Sequence, residues 1–262
     1  MTIREIQSKK KHKKKISAVT AYDYYTAYYA SCAHIDILLV GDSLGMVMLG
    51  YSSTLPVTVE DMVHHSRAVE RGANGPLLVV DMPFMSYQTS PADAVKNAGR
   101  LIKDGSMQAV KLEGAKGIGR KIKAILNAGI PVMGHLGVLP QSVHKDSGYR
   151  AKGKSSHEAG KLMDDARYLE DLGVFAIVLE CVAERVSKKI TETIRIPSIG
   201  IGSGKWCDGQ ILVSHDLLGI SNSKRPRFVK QFAKVGDTML NSFKKYRSEV
   251  LQGKYPTRKH SY

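Results

Sequence analysis

The sequence predicts an α/β fold, a single (β/α)8 TIM barrel spanning residues 1–262. From Ile16 onward, short runs rich in Val, Ile and Leu alternate with stretches of helical period, the pattern of repeated βα units around a parallel sheet. Eight such runs occur within 262 residues, which is the strand count and chain length of a closed parallel barrel. An open doubly wound sheet is the other arrangement that this alternation allows.

The expected strands are Ile16–Tyr22, Ile37–Gly41, Leu77–Asp81, Ala109–Gly114, Pro131–Gly137, Ala176–Cys181, Ser198–Gly202 and Gln210–Val213. Helical periodicity marks Thr58–Arg71, Pro91–Lys103, Ile118–Asn127, Ser156–Asp171, Ala183–Ile194 and Phe228–Leu251. Thr58 before Val59-Glu60-Asp61, and Ser90 before Pro91-Ala92-Asp93, offer side-chain oxygens to the free amides of a first helical turn. Gly72, Gly105, Gly129 and Gly173 fall where these helices must stop. The gap from Gly137 to Ser155, which contains Lys145, Gly148, Tyr149, Gly153 and Lys154, reads as an active-site loop.

Composition excludes several functions. Lys and Arg number 39 against 24 Asp and Glu, a formal charge of +15, while 43% hydrophobic residues suffice for a core. No apolar run is long enough to span a membrane or to act as a secretory signal, so a cytoplasmic protein is expected. Cys32, Cys181 and Cys207 form no CxxC pair, which argues against structural zinc and dithiol redox chemistry. Lys9, Lys10, Lys11, Lys13, Lys14 and Lys15 surround His12. Such a block reads first as a solvated surface segment and second as a footprint for a polyanion; without aromatic interleaving or a nucleic-acid motif, a nucleic-acid partner is not expected.

Charged residues at the C-terminal ends of barrel strands carry the chemistry of this architecture. The second strand runs into Gly41-Asp42-Ser43 and the third into Asp81-Met82-Pro83. In Ala109-Val110-Lys111-Leu112-Glu113, the period of two puts Lys111 and Glu113 on one face. Glu180 shares the face of Val178. Any one of these acids alone also reads as a helix cap or a loop acceptor. Asp42, Asp81, Glu113 and Glu180 around one opening require a positive partner, and oxygen donors of this kind suit Mg2+. His135 either binds substrate or bonds within the barrel. Ser198–Gly204 resembles an anion cradle, although close packing requires the same glycines. Cys181 reads as packing, and Asp23 as a cap.

The motifs Thr20-Ala21-Tyr22-Asp23-Tyr24, Val40-Gly41-Asp42-Ser43-Leu44-Gly45, Asp81-Met82-Pro83-Phe84, Lys111-Leu112-Glu113-Gly114, Gly134-His135-Leu136-Gly137, Pro140-Gln141-Ser142, Leu179-Glu180-Cys181, Ile199-Gly200-Ile201-Gly202 and Asp208-Gly209-Gln210-Ile211 follow one another in order. Together they resemble the ketopantoate hydroxymethyltransferase family over nearly the whole chain. The resemblance implies a Mg2+-dependent barrel enzyme of pantothenate biosynthesis that takes 5,10-methylenetetrahydrofolate as co-substrate and forms homo-oligomers, typically decamers. It implies Asp42 and Asp81 as metal ligands, with Glu113 contacting the metal directly or through water. Ser43 and Lys111 would bind the 2-oxo acid, with Asp42 and Asp81 close to it, and Glu180 would be the proton acceptor; His135 is a possible support. Two departures stand out: Ser203 replaces the commoner Ala of Gly-Ile-Gly-Ala-Gly, and the loop Lys145–Lys154 is more basic than usual.

The nearest alternative is a Mg2+-dependent 2-oxo acid lyase or mutase of the phosphoenolpyruvate mutase/isocitrate lyase kind, which needs no folate. A non-catalytic, polyanion-binding barrel is the alternative from another class.

Overall fold

A computed structural model describes residues 1–144, 150–221 and 226–262. Lys145, Gly148 and Tyr149 of the expected active-site loop lie outside the described residues. By internal contacts the chain falls into two compact units, Met1–Val213 and Ser214–Tyr262.

In the first unit, eight parallel strands close into a barrel in the order of the sequence: β1 (Ile16–Thr20), β2 (Ile37–Val40), β3 (Leu77–Asp81), β4 (Ala109–Glu113), β5 (Val132–Gly137), β6 (Ala176–Glu180), β7 (Ser198–Ile201) and β8 (Gly209–Leu212). Ile16 of β1 pairs with Gly209 of β8, which completes the ring and excludes an open sheet. The helices are α1 (Ile3–Lys11), α2 (Tyr24–Cys32), α3 (Leu44–Val47), α4 (Val59–Gly72), α5 (Pro91–Lys103), α6 (Gly119–Asn127), α7 (Ser156–Leu172) and α8 (Glu184–Thr193). Thr58 caps α4 in a reciprocal capping box with Asp61, and Ser90 caps α5. Gly173 closes α7 in the left-handed region, where a Cβ would be strained.

The barrel interior is built by the two-residue alternation of the strands. Ile16 and Ala18, Ile37 and Leu39, Leu77 and Val79, Ala109, Met133, Ala176 and Val178, Ile199 and Ile211 form one buried cluster. That face continues upward into Asp81, Lys111 and Glu113, His135, and Glu180 at the C-terminal ends. Apolar packing thus fills the barrel and leaves polar groups at its mouth.

The N-terminal end is closed by α1. Ile6 is fully buried in the interior cluster, with Met1 and Ile3 packed against it. Lys9 pairs with Asp36, Lys10 Nζ lies 2.8 Å from Asp208 Oδ2, and Lys15 Nζ donates to the Cys207 carbonyl. Asp36 and Asp208 stand immediately before β2 and β8, so part of the lysine block fastens a helix to the barrel floor. Lys11, Lys13 and Lys14 are exposed. The block is therefore not a detached basic arm.

The second unit holds α9 (Ser214–Leu218) and α10 (Val235–Leu251). The latter starts at Val235 rather than Phe228 because the preceding backbone turns elsewhere: Phe232 N–H donates to the Leu217 carbonyl at 2.9 Å. No residue of α10 is buried within the chain. Among the described residues, no helix is long and apolar enough to cross a membrane.

Candidate active site

Parallel register brings the mouth residues together. Asp81 of β3 is the partner of Lys111 of β4, and Glu113 of β4 is the partner of His135 of β5. Lys111 Nζ lies 2.8 Å from Asp81 Oδ1 and 3.3 Å from His135 Nδ1. The imidazole in turn lies between two carboxylates, with Nδ1 3.5 Å from Glu113 Oε1 and Nε2 3.3 Å from Glu180 Oε2. The last contact is a charge pair set off the line of a hydrogen bond. Asp42, Asp81, Lys111, Glu113 and His135 are all buried, whereas the Glu180 side chain keeps 20% exposure.

Asp42 sits past the end of β2. Its amide donates to Asp81 Oδ2 at 3.1 Å, and its Oδ2 accepts from Gln141 Nε2 at 2.9 Å. Ser43 follows, with its hydroxyl 2.8 Å from the hydroxyl of fully buried Tyr22. Gly41 makes this possible, because a Cβ there would press on Ser43 Oγ.

Electrostatics follow from burial. Asp42 is pushed well above the usual carboxylate range by loss of solvent and then by the charges of Asp81 and Glu113. Asp81 is raised by burial too, against the opposing pull of Lys111. Burial works against the charge of Lys111, but Asp81, Glu113 and Asp42 outweigh it and hold the ammonium above its ordinary value. For His135, burial and Lys111 disfavour the cation, while Glu113 and Glu180 prevail and raise it to about 9.

Every site residue read from the sequence reaches this opening: Asp42, Ser43, Asp81, Lys111, Glu113, His135 and Glu180. Besides Tyr22, two further residues organise it. Gln141, in the 3-10 turn Pro140–Ser142, donates to Asp42 and to the Met82 carbonyl, each at 2.9 Å, and accepts from the Tyr87 hydroxyl at 2.9 Å. Its amide donates to Glu113 Oε2 at 3.1 Å. Tyr87 also accepts from the Glu113 amide at 3.2 Å. None of the three carries a formal charge, and Gln141 and Tyr87 stand outside the strands, so strand-end charges do not point to them; Gln141 and Tyr22 nonetheless lie within the recognised motifs.

Outside this cluster, Asp23 caps α2 by accepting from the Thr26 amide at 2.9 Å. Cys181 is half-buried, and burial lifts its thiol to about 11, so it is not an activated nucleophile. In the glycine-rich segment after β7, Gly202 and Gly204 are exposed, while the buried Ser203 hydroxyl bonds to the backbone of residues 179 and 182.

The family model described as ketopantoate hydroxymethyltransferase matches residues 1–258. A 3-methyl-2-oxobutanoate hydroxymethyltransferase of Moorella thermoacetica is 52% identical over 262 residues, covering 100% of this chain and 97% of its own. The protein of the same name from Clostridium novyi is also 52% identical, covering 100% and 95%. Among solved structures, a phosphoenolpyruvate phosphomutase from Streptomyces platensis superposes with a TM-score of 0.64 at 10% identity, covering 97% of this chain and 88% of that one. A 2,3-dimethylmalate lyase gives 0.61 at 12%, covering 100% and 93%. These two share the barrel fold, whereas the full-length matches at 52% identity fix the family. The chain belongs, as an enzyme, to the ketopantoate hydroxymethyltransferase family.

Proposed function

We propose that the protein transfers a hydroxymethyl group from 5,10-methylenetetrahydrofolate to 3-methyl-2-oxobutanoate through an enolate of the 2-oxo acid, giving 2-dehydropantoate for pantothenate and coenzyme A biosynthesis. The observation that carries this reading is the division of labour within one barrel mouth. Asp42, Asp81 and Lys111 gather on one side and Glu180 stands on the other, with His135 bridging Lys111 and Glu180.

The donor set fits Mg2+. Asp42, Asp81 and Glu113 offer oxygen only, and Asp42 is raised first by burial and then by the charges of Asp81 and Glu113, which a cation beside it would offset. Among the described residues, no three His, Cys, Asp or Glu groups converge as a ready-made cage. Asp42 and Asp81 would hold Mg2+, with Glu113 directly or through water. When bound, Mg2+ supplies positive charge beside the carboxylate and keto oxygens of the 2-oxo acid, where negative charge grows in the reaction.

The chain's own residues do the remaining work. Lys111 offers its ammonium to the substrate carboxylate, and Asp81 fixes its direction. Ser43, anchored by Tyr22, offers a hydroxyl to the same acid. Glu180, the most exposed carboxylate of the set, accepts the proton from C3. Charged His135 holds Glu180 toward the cavity. The proposal includes a cytoplasmic homo-oligomer, a decamer by family resemblance, with residues 1–262 acting as one functional barrel.

No specific observation favours the mutase or lyase alternative over its shared fold, and the pairing of Lys9 and Lys10 removes much of the basis for a polyanion site. Incubation with 3-methyl-2-oxobutanoate, 5,10-methylenetetrahydrofolate and Mg2+ tests the proposal. Formation of 2-dehydropantoate is expected. Its absence, with turnover of another 2-oxo acid in the absence of folate, overturns the reading.

A further inference from the structure

The charged groups of the mouth occupy only part of its circumference. They stand on β3 to β6 or just past β2, whereas β7 and β8, reading Ser-Ile-Gly-Ile and Gly-Gln-Ile-Leu, carry no charge. Ile199 is buried in the interior cluster, so the two-residue alternation turns Ile201 inward at the top of the same strand. Ile201 packs on that cluster and keeps part of its surface accessible. It is also the register partner of Glu180, and its carbonyl accepts from the Cys181 amide at 2.8 Å, which fixes it beside the base. On the opposite flank Glu180 is paired with Gly137, which offers no side chain, and the interior residue below Gly137 is the polar His135. Between the two neighbouring strands, Ile201 is thus the aliphatic side chain that adjoins Glu180. Val213, two residues past the buried Ile211, extends the uncharged arc.

We propose that Ile201 is a specificity-determining residue, the apolar wall against which the methyl groups on C3 of the 2-oxo acid lie. The proposal rests on the reading of Glu180 as the proton acceptor. A base that takes the C3 proton stands within hydrogen-bond reach of that carbon, and the methyl groups are one bond away from it, so they fall against what adjoins Glu180. The carboxylate and keto oxygens of the acid are held at Asp42, Asp81 and Lys111. Methyl groups gain by leaving water for an aliphatic wall and gain nothing against a charged one, which directs them to the β7 side of Glu180. Isoleucine is stiff at χ1, so the wall keeps its shape and a change of a methylene in either partner alters the fit.

The test compares wild type, Ile201→Ala, Ile201→Val and Glu180→Gln in Mg2+-dependent exchange of the C3 proton in D2O. The substrates are 3-methyl-2-oxobutanoate and 3-methyl-2-oxopentanoate, which is longer by one methylene. Pyruvate, which has no carbon beyond C3, is titrated against the melting temperature of the Mg2+-loaded proteins. For Ile201→Ala, we expect kcat/KM for 3-methyl-2-oxobutanoate to fall about 10- to 100-fold and the preference for it over the longer acid to shrink about tenfold, with pyruvate affinity kept within about twofold. Ile201→Val shifts the preference the same way by less, and decides the matter where the Ala variant does not fold. An unchanged preference beside an inactive Glu180→Gln overturns the specificity role alone. Equal losses for both branched acids and for pyruvate overturn it in favour of general support of the barrel. Full exchange in Glu180→Gln, with the preference shifted in Ile201→Ala, overturns Glu180 as the base and upholds the methyl contact.

Discussion

Lys111 Nζ lies 2.8 Å from Asp81 Oδ1, and the two residues are register partners on neighbouring strands, both pointing into the barrel. The pair is buried, so neither charge has water to fall back on. Replacing Lys111 by Met leaves three acids with their main counter-charge removed. In metal-free protein this should cost roughly 3–5 kcal/mol of stability, measured by denaturant unfolding. A change below about 0.5 kcal/mol shows that Lys111 is not the structural counter-ion of this cluster.

Gln141 ties Asp42, the Met82 carbonyl and Tyr87 to one another. Gln141→Leu keeps the bulk and removes these bonds, freeing the Asp42 carboxylate to turn. Affinity for Mg2+ should drop about 10- to 100-fold, as for groups that orient metal ligands. Titration of Mg2+ against the melting temperature reads this without any turnover; wild-type affinity refutes the role given to Gln141.

Gly137, at the end of β5, has φ +103°, and a Cβ there would run into the carbonyl of Glu180. Gly137→Ala combines a strained backbone with a direct collision at the strand that carries the base. A loss of at least about 1–3 kcal/mol in stability and a fall in kcat are expected together. Wild-type melting and kcat would show that β5 and β6 can separate at the mouth without consequence.

His135 is raised to about 9 in the folded chain, above its ordinary value of 6.5. A histidine raised on folding contributes stability that is complete below the unfolded value and is lost as pH climbs through the folded one. Metal-free protein should therefore lose stability between about pH 6.5 and 9. His135→Gln should flatten that slope, and NMR titration of the imidazole should place its midpoint near 9. A midpoint near 6.5 in the metal-free fold contradicts the double carboxylate contact.

Much of this was legible because barrel strands obey a period of two. The charged residues that end the apolar runs of β3, β4 and β6 had to continue an interior face, and Asp81, Lys111, Glu113 and Glu180 do so. Elements without a periodic stripe were not legible. In α2, Tyr24, Tyr25, Tyr28 and Tyr29 are exposed while Ala27 and Ser31 are buried, so residue polarity gives no inward side. In α1, lysines hide the single deep anchor, Ile6, and nothing local shows that Asp36 and Asp208 await Lys9 and Lys10 across the barrel floor. Gln141 illustrates the same limit at the site: a neutral residue on a short turn becomes a hub only once β2, β3 and β4 are brought together. Ser203 read as part of an anion cradle, but its hydroxyl is spent on the backbone at the end of β6.

The central claim is that Glu180 removes the C3 proton of the 2-oxo acid held at Asp42, Asp81 and Lys111. Its most direct test is NMR of 3-methyl-2-oxobutanoate in D2O with protein and Mg2+ but no folate, comparing wild type with Glu180→Gln. The account predicts loss of the C3 proton signal with wild type and its retention with the variant, at unchanged Mg2+-induced stabilisation. Equal exchange rates in the two proteins would contradict it and move the base to another residue of the mouth.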